Sequence, residues 1–482
     1  MEIIFYYDQN KNPKFQSKFP LIIQSLNLQS KEWIISDQQQ GKISNYLDNI
    51  AKQTAKKTHS NKSEVLEESN SSNTRKIQNN NQQIPHIEKI LFNQQAFRFA
   101  SYYENINLTS QSGQTFKASD IEIEINQNRA TLPEWNANTL KFGANSTDHM
   151  LTIDWDQDKG WENPKIQPFQ NFSIHPFNST LHYGLECFEG LKAFRTPKGI
   201  RFFRADSNMY RLKNSMKSLS LPDFDGKEFQ KCIEELVKVD QQWVPDTAQR
   251  GFSLYLRPTA ISMEDSLGVK IPNKARLFCV VSPVGPYYPE GFKPIKLYCD
   301  PKRFRAAPFG TGNMKIGGNY GPTIPLSTEA AEKGYQQVLW LWKDEVCEVG
   351  TSNIFFYWIN ENGEKELVTP SLESGYILPG VTRDSILDIT RSWGRFKVSE
   401  RIIKMQEVIK AIKEGRLIEA FGAGTAVIVC PIELFHYQGK DYNVPIDPQI
   451  RAGRLTKELL EFIQDIQYGD RDYKNWQTDI KI

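Results

Sequence analysis

Cysteine is scarce. Six occur in 482 residues (Cys187, Cys232, Cys279, Cys299, Cys347 and Cys430), and no two of them form a C-x-x-C pair. So few and so scattered, they exclude a disulfide scaffold and point to a reducing, intracellular compartment, cytoplasmic or mitochondrial. Long apolar runs are missing too, since none approaches the ~18 residues that a membrane-spanning helix requires. Residues 1–7 are mostly apolar, but Glu2 interrupts them, no basic stretch precedes them and Asp8 ends them, which makes a poor signal peptide. Net charge is nearly absent: 59 Lys+Arg against 57 Asp+Glu leave +2. No global field favours nucleic acid or an acidic surface, so the expected partner is a small molecule. No internal repeat occurs. Length alone allows about two to four domains with sizeable cores.

What is present divides the chain. Residues 37–41 and 79–83 are rich in Gln and Asn, and residues 52–73 are mostly Lys, Ser, Asn and Glu. Such a stretch cannot offset its ordering entropy by burial, so residues 1–118 are predicted to be a low-complexity, disordered extension. Residues 84–103 are more apolar and carry Lys89 and Arg98, which leaves two readings open, a targeting helix or an inert extension. From Asp120 the pattern changes. Residues 121–125 alternate apolar and charged, as in a half-buried strand. Residues 227–243 place Phe229, Ile233, Leu236 and Val237 at helical spacing, with Pro245 beyond the end. Residues 253–257, 277–283, 338–342 and 354–359 read as strands, and residues 383–393 as a helix stopped by Gly394. The turn-rich Gly285-Pro286-Tyr287-Tyr288-Pro289-Glu290-Gly291 predicts a boundary. The expected organisation is a small α/β domain over 119–285, a linker over 286–293 and a larger domain over 294–482.

Four segments carry candidate chemistry. In Gly310-Thr311-Gly312-Asn313-Met314-Lys315-Ile316-Gly317-Gly318-Asn319-Tyr320-Gly321, five glycines crowd one lysine. Glycine lets backbone approach a bulky planar group closely. No third glycine completes a dinucleotide fingerprint, and no Gly-Lys-Ser/Thr makes a phosphate loop. Lys315 is then either a solvated loop residue or a Schiff-base lysine. In Leu378-Pro379-Gly380-Val381-Thr382-Arg383 a Pro-Gly turn runs straight into a helix whose first amides lack intrahelical partners. Those amides either bind water or hold a phosphate. Glu348 lies between apolar strands, as a solvated turn residue or as a partner for a protonated ring nitrogen. Finally, Phe421-Gly422-Ala423-Gly424-Thr425-Ala426 is a small-residue turn, empty or anion-binding.

In this order the segments closely resemble the branched-chain amino acid aminotransferases, fold-type IV enzymes dependent on pyridoxal 5′-phosphate. The resemblance runs from about Phe142 to Arg471. It also takes in Thr147-Asp148-His149-Met150-Leu151, Leu181-His182-Tyr183, Phe188-Glu189-Gly190-Leu191-Lys192 and Ser266-Leu267-Gly268-Val269. It implies a mixed α/β fold with a smaller N-terminal α/β domain, a larger C-terminal pseudo-barrel domain and the cofactor at their interface. It further implies a homodimer that binds amino acids and 2-oxo acids, with no metal, nucleic acid or membrane partner. The reaction implied is reversible, ping-pong transfer of the amino group of Leu, Ile or Val to 2-oxoglutarate. A D-amino-acid aminotransferase or lyase of the same fold group, and a non-catalytic descendant, are the alternatives.

The resemblance also implies roles. Lys315 would bind the cofactor covalently and then act as base and acid, Tyr320 would bond its phenolic oxygen, and Glu348 its pyridine nitrogen. Arg211, the amides of Val381 and Thr382, and Thr425 would hold the phosphate, with Arg305 nearby. Tyr183, Phe188 and Tyr255 would wall the side-chain pocket. Thr351 and the Ala426 amide would meet the substrate carboxylate. Leu267 and Val269 would sit on a loop that reaches the neighbouring subunit. Arg257, two residues from Tyr255 on one strand face, would support Tyr255 as the receiver of a γ-carboxylate. Two positions depart from mammalian members: Val427 replaces the first cysteine of their redox pair, leaving Cys430 alone, and Ala307 replaces a tryptophan.

Overall fold

The computed structural model describes Tyr103, residues 107–110 and residues 115–482 other than 138, 247, 248 and 288–290. The low-complexity stretches predicted to be disordered lie outside the described residues, as does all of 84–103 except Tyr103.

Two mixed sheets organise the chain. The first gathers β1 (Glu122–Ile123), β2 (His149–Asp156), β3 (Gly160–Trp161), β4 (Lys165–Pro168), β5 (Glu186–Phe188), β6 (Leu191–Thr196), β7 (Gly199–Phe203), β8 (Ser253–Ser262) and β9 (Lys274–Val284). Its order is β1-β4-β2-β9-β8-β6-β7, with β3 on β2 and β5 on β8. Helices α1 (Ser179–Tyr183), α2 (Ala205–Ser218) and α3 (Gly226–Val239) belong to the same half of the chain. The spacing read from the sequence is the spacing used: Phe229, Ile233, Leu236 and Val237 are all buried on α3. Asp225 starts that helix by accepting the amides of Lys227 and Glu228, two donors that have no partner within the helix. These side chains pack with Met209 and Leu212 of α2 against Leu151, Leu254 and Leu277 of the sheet.

The second sheet holds β10 (Ile295–Cys299), β11 (Gln337–Trp342), β12 (Glu345–Val349), β13 (Asn353–Ile359), β14 (Lys365–Pro370), β15 (Lys397–Arg401), β16 (Leu417–Gly424), β17 (Ile428–Tyr437) and β18 (Lys440–Asn443), with helices α4 (Ile324–Glu332), α5 (Val381–Trp393), α6 (Met405–Lys413) and α7 (Arg454–Tyr468). The strand path is β12-β11-β10-β17-β16-β13-β14-β15. Its two ends approach each other: just past β15, the Ile403 carbonyl accepts the Val346 amide of β12 at 2.8 Å. That contact gives the sheet its barrel-like curl. β13 shows why its sequence is apolar throughout. Ile354, Phe356 and Trp358 face one core with α6, whereas Phe355 faces another with α5 and α7. A strand covered on both faces loses the alternation that marks a half-exposed one.

Four expectations change. Only Glu122–Ile123 of the 121–125 stretch is a strand, and both of its residues are exposed, because it lies at the outer edge of the sheet. The segment Gln477–Ile480 returns from the second half of the chain to pair antiparallel with β7, so the larger domain drawn over 294–482 gives its last strand to the first sheet. Residues before 119 are not all outside the fold. Tyr103, Leu108 and Phe116 are buried, and Leu108 and Phe116 join the first core. Isolated apolar residues among polar ones carry no periodicity, so composition alone places the boundary too late. The fourth change concerns Tyr183 and belongs with the site.

Candidate active site

The turn between β9 and β10 lies at the predicted boundary, and the lysine-bearing loop follows β10. Lys315 is held from both sides. Its amide donates to Ser215 Oγ on α2 at 3.0 Å, and its carbonyl accepts from Phe188 at 3.0 Å. The turn Gly317–Asn319 then brings Tyr320 back, so that Lys315 Nζ donates to the Tyr320 hydroxyl at 3.0 Å. Both side chains open into a cavity of about 420 Å³. Phe188, Tyr255 and Arg257 of the first sheet wall one side. Thr351, Asn353 and the 422–427 turn of the second wall the other.

Glu348 is buried behind this cavity. It accepts Arg305 Nη2 at 2.9 Å, the Leu378 amide at 2.7 Å and Asn353 Nδ2 at 3.4 Å. Burial pushes its carboxyl above the usual range, opposed by the Arg305 guanidinium. Asn353 also donates to the Leu378 carbonyl, which ties β13 to the turn ahead of α5. That turn needs glycine at 380: a Cβ there would sit 2.0 Å from Asn353 Oδ1.

Arg211 lines the cavity from α2 and is held by three hydrogen bonds. It pairs with Glu189 through Nε at 2.6 Å and Nη2 at 2.8 Å, and its Nη1 donates to the Pro379 carbonyl at 2.9 Å. Burial disfavours the Glu189 carboxylate, but Arg211 outweighs it and holds the group below the usual range. Gly380 caps α5 without any side-chain cap. Val381 and Thr382 line a small recess that also touches Gly190, Lys192 and Thr425. The buried Lys192 ammonium donates to the Ala426 carbonyl at 2.9 Å, and burial pushes it down to about 8.

The structure therefore brings together Lys315, Tyr320, Glu348, Arg305, Arg211, Val381, Thr382, Thr425, Thr351, Ala426, Phe188 and Tyr255. It does not bring Tyr183, Leu267 or Val269 to this cavity. Tyr183, expected as a pocket wall, is 40 % exposed instead, and its hydroxyl donates to the Leu267 carbonyl. Leu267 and Val269 are 47 % and 83 % exposed. Within one chain the three form an exposed rim: α1 ends at Gly184 and leaves Tyr183, its last residue, exposed. No separate signal in the sequence marks Phe142, whose ring packs 4.8 Å from Tyr255, or Glu189, which holds Arg211, or Asn208, which donates to Glu189. Glu189 does lie inside the Phe188-Glu189-Gly190 motif.

The donor set suits a phosphorylated pyridine aldehyde. It has an amine paired with a phenol, a buried carboxylate, and an arginine beside uncapped helix amides. One buried donor, Arg257 Nε, has no hydrogen-bond partner among the described residues. Fold and donor set together define an aminotransferase site. The sequence profile of Amino-transferase class IV matches residues 186–434. A branched-chain-amino-acid aminotransferase of Dictyostelium discoideum is 52 % identical over 340 residues, covering 70 % of this chain and 89 % of that protein. The cytosolic one of Ovis aries is 49 % identical over 369 residues, covering 75 % and 93 %. A solved T.th. branched-chain amino acid aminotransferase with pyridoxamine 5′-phosphate superposes with a TM-score of 0.54 at 25 % identity, covering 68 % of this chain and 98 % of that one. The chain belongs to the class IV aminotransferases, and within them to the branched-chain-amino-acid aminotransferase family.

Proposed function

We propose that this protein transfers the amino group of leucine, isoleucine or valine reversibly to 2-oxoglutarate, yielding the branched 2-oxo acid and glutamate. The observation that carries this reading is the Lys315 amine, 3.0 Å from the Tyr320 hydroxyl, in a cavity walled by Phe188 and Tyr255 and backed by buried Glu348. Pyridoxal 5′-phosphate, when bound, supplies the electron sink. Lys315 Nζ would hold the cofactor covalently and, once the substrate amine has displaced it, would act as the free amine that takes the proton from the substrate α-carbon. Tyr320 orients Nζ through their hydrogen bond. Glu348 would keep a proton on the ring nitrogen, and Arg305 favours the ionised form of Glu348. Arg211, Thr425 and the amides of Val381 and Thr382 would bind the phosphate, helped by the dipole of α5. Thr351 and the Ala426 amide take the substrate carboxylate.

Phe188 and Tyr255 present apolar faces to a branched side chain; valine is smaller than leucine or isoleucine by one methylene, worth about 1–3 kcal/mol, and the latter two differ only in where they branch. A second copy related by a two-fold axis would receive the rim of Tyr183, Leu267 and Val269 over its own cavity. Relatives are described as cytosolic or as mitochondrial, and among the described residues no helix is long and apolar enough to cross a membrane.

Lys315→Ala tests the central assignment. Turnover of leucine with 2-oxoglutarate is expected to fall by more than about a hundredfold, because positioned acid–base catalysis alone contributes about 10²–10⁴-fold. Binding of pyridoxamine 5′-phosphate, followed by fluorescence, is expected to persist. A variant that keeps more activity than that removes Lys315 from the role.

A further inference from the structure

A tyrosine ahead of the region matched by the family profile reaches the turn that leads into α5. Tyr103 is 6 % exposed. Its hydroxyl donates to the Pro379 carbonyl at 2.5 Å, the same oxygen that accepts Arg211 Nη1 at 2.9 Å. Its ring meets Tyr210 edge-on at 6.3 Å, and the Arg204 guanidinium lies 5.4 Å from the ring centroid. Arg204 in turn donates to Asp384 at 2.8 Å and to Ser385 at 2.9 Å, inside α5. Tyr103 thus sits where α2 meets the start of α5.

We propose that Tyr103 is a positioning residue for the phosphate of the cofactor. Carbonyl and amide of one peptide group are coplanar. Two donors on the Pro379 oxygen therefore fix the plane that enters Gly380, whose φ of −71° and ψ of 133° set the direction of α5. The next two amides, of Val381 and Thr382, have no intrahelical partner, and their aim follows from that plane. Without the tyrosine hydroxyl the carbonyl is held by Arg211 alone, and Arg211 is already shared with Glu189. Tyr103 touches neither substrate nor reacting atoms. It acts through the turn.

The inference rests on reading Arg211, Thr425, Val381 and Thr382 as the phosphate site, so its test carries a control for that reading. Full-length Tyr103→Phe and Thr425→Ala are compared with wild type for binding of pyridoxamine 5′-phosphate, of unphosphorylated pyridoxamine, and for melting without ligand. Loss of one neutral hydrogen bond is expected to weaken the phosphorylated ligand about three- to tenfold in Tyr103→Phe. Pyridoxamine affinity is expected to stay unchanged, and ligand-free melting to move by no more than about 5 °C. Unchanged affinity for the phosphorylated ligand, or equal losses for both ligands, overturns the proposal. So does a ligand-free melting temperature lowered by more than about 10 °C, which would make the hydroxyl a general stabiliser. A loss in Thr425→Ala alone refutes Tyr103 and spares the phosphate site, whereas no loss in either variant removes both.

Discussion

Under the proposed function Tyr255 would serve two substrates. Its hydroxyl accepts Arg257 Nη2 at 3.0 Å, and a Cβ on Gly190 would sit 2.1 Å from the same oxygen, so only glycine at 190 leaves the phenol its place. A carboxylate entering an apolar pocket without donors would be prohibitively costly, and Tyr255 backed by Arg257 offers them. Tyr255→Phe is expected to raise KM for 2-oxoglutarate about tenfold, since a hydrogen bond to a charged group is worth about 1.5–3 kcal/mol. KM for leucine is expected to stay nearly constant, and steady-state kinetics with each substrate would show equal losses if the phenol only shaped the pocket. At this scale the placement of a residue is legible where its setting is marked, as with Lys315 among glycines, which lines the cavity, or Val381 after Pro-Gly, which starts α5. It is not legible for Tyr183, since α1 ends at Gly184 and only the fold decides which way its last residue turns. Nor is it legible for Phe142, which meets Tyr255 across a long stretch of chain.

Among the elements, β6 joins wall to mechanism. It runs antiparallel to β8, pairing Lys192 with Tyr255, and sends the buried Lys192 ammonium to the Ala426 carbonyl. Burial lowers its pKa from 10.5 to about 8. Below about pH 8 Lys192 is charged in both folded and unfolded chains, and the burial cost is felt in full. Between about 8 and 10.5 the folded form is neutral while the unfolded form still binds the proton, so this group adds stability as pH rises, on the order of 3 kcal/mol. Lys192→Met removes that dependence. Urea unfolding at pH 7.5 and at pH 10 is expected to show wild type gaining on the variant at the higher pH, and an equal difference at both would contradict the buried ammonium. Elements with one clear period, such as α3, are legible to within a few residues. The edge strand β1 is not, because alternation reports a half-buried face only when a core lies beneath it.

For the molecule as a whole, the exposed rim of Tyr183, Leu267 and Val269 argues for a two-fold pair. Sedimentation of active enzyme is expected to find dimers at assay concentration, with specific activity falling on dilution into the monomer range; a fully active monomer would rule out shared sites. The return of Gln477–Ile480 to β7 is not legible in the sequence, because strand pairing across so much chain leaves no local trace. There Arg201 meets Asp479 at 2.6 Å and Ile480 packs into the first core. That return sets an order of events at the ribosome. While residues 204–476 are being made, the edge of β7 has no partner, and an open edge is the part of a sheet that recruits foreign strands. The first half of the chain therefore carries an open strand edge until residues 477–480 emerge and close it.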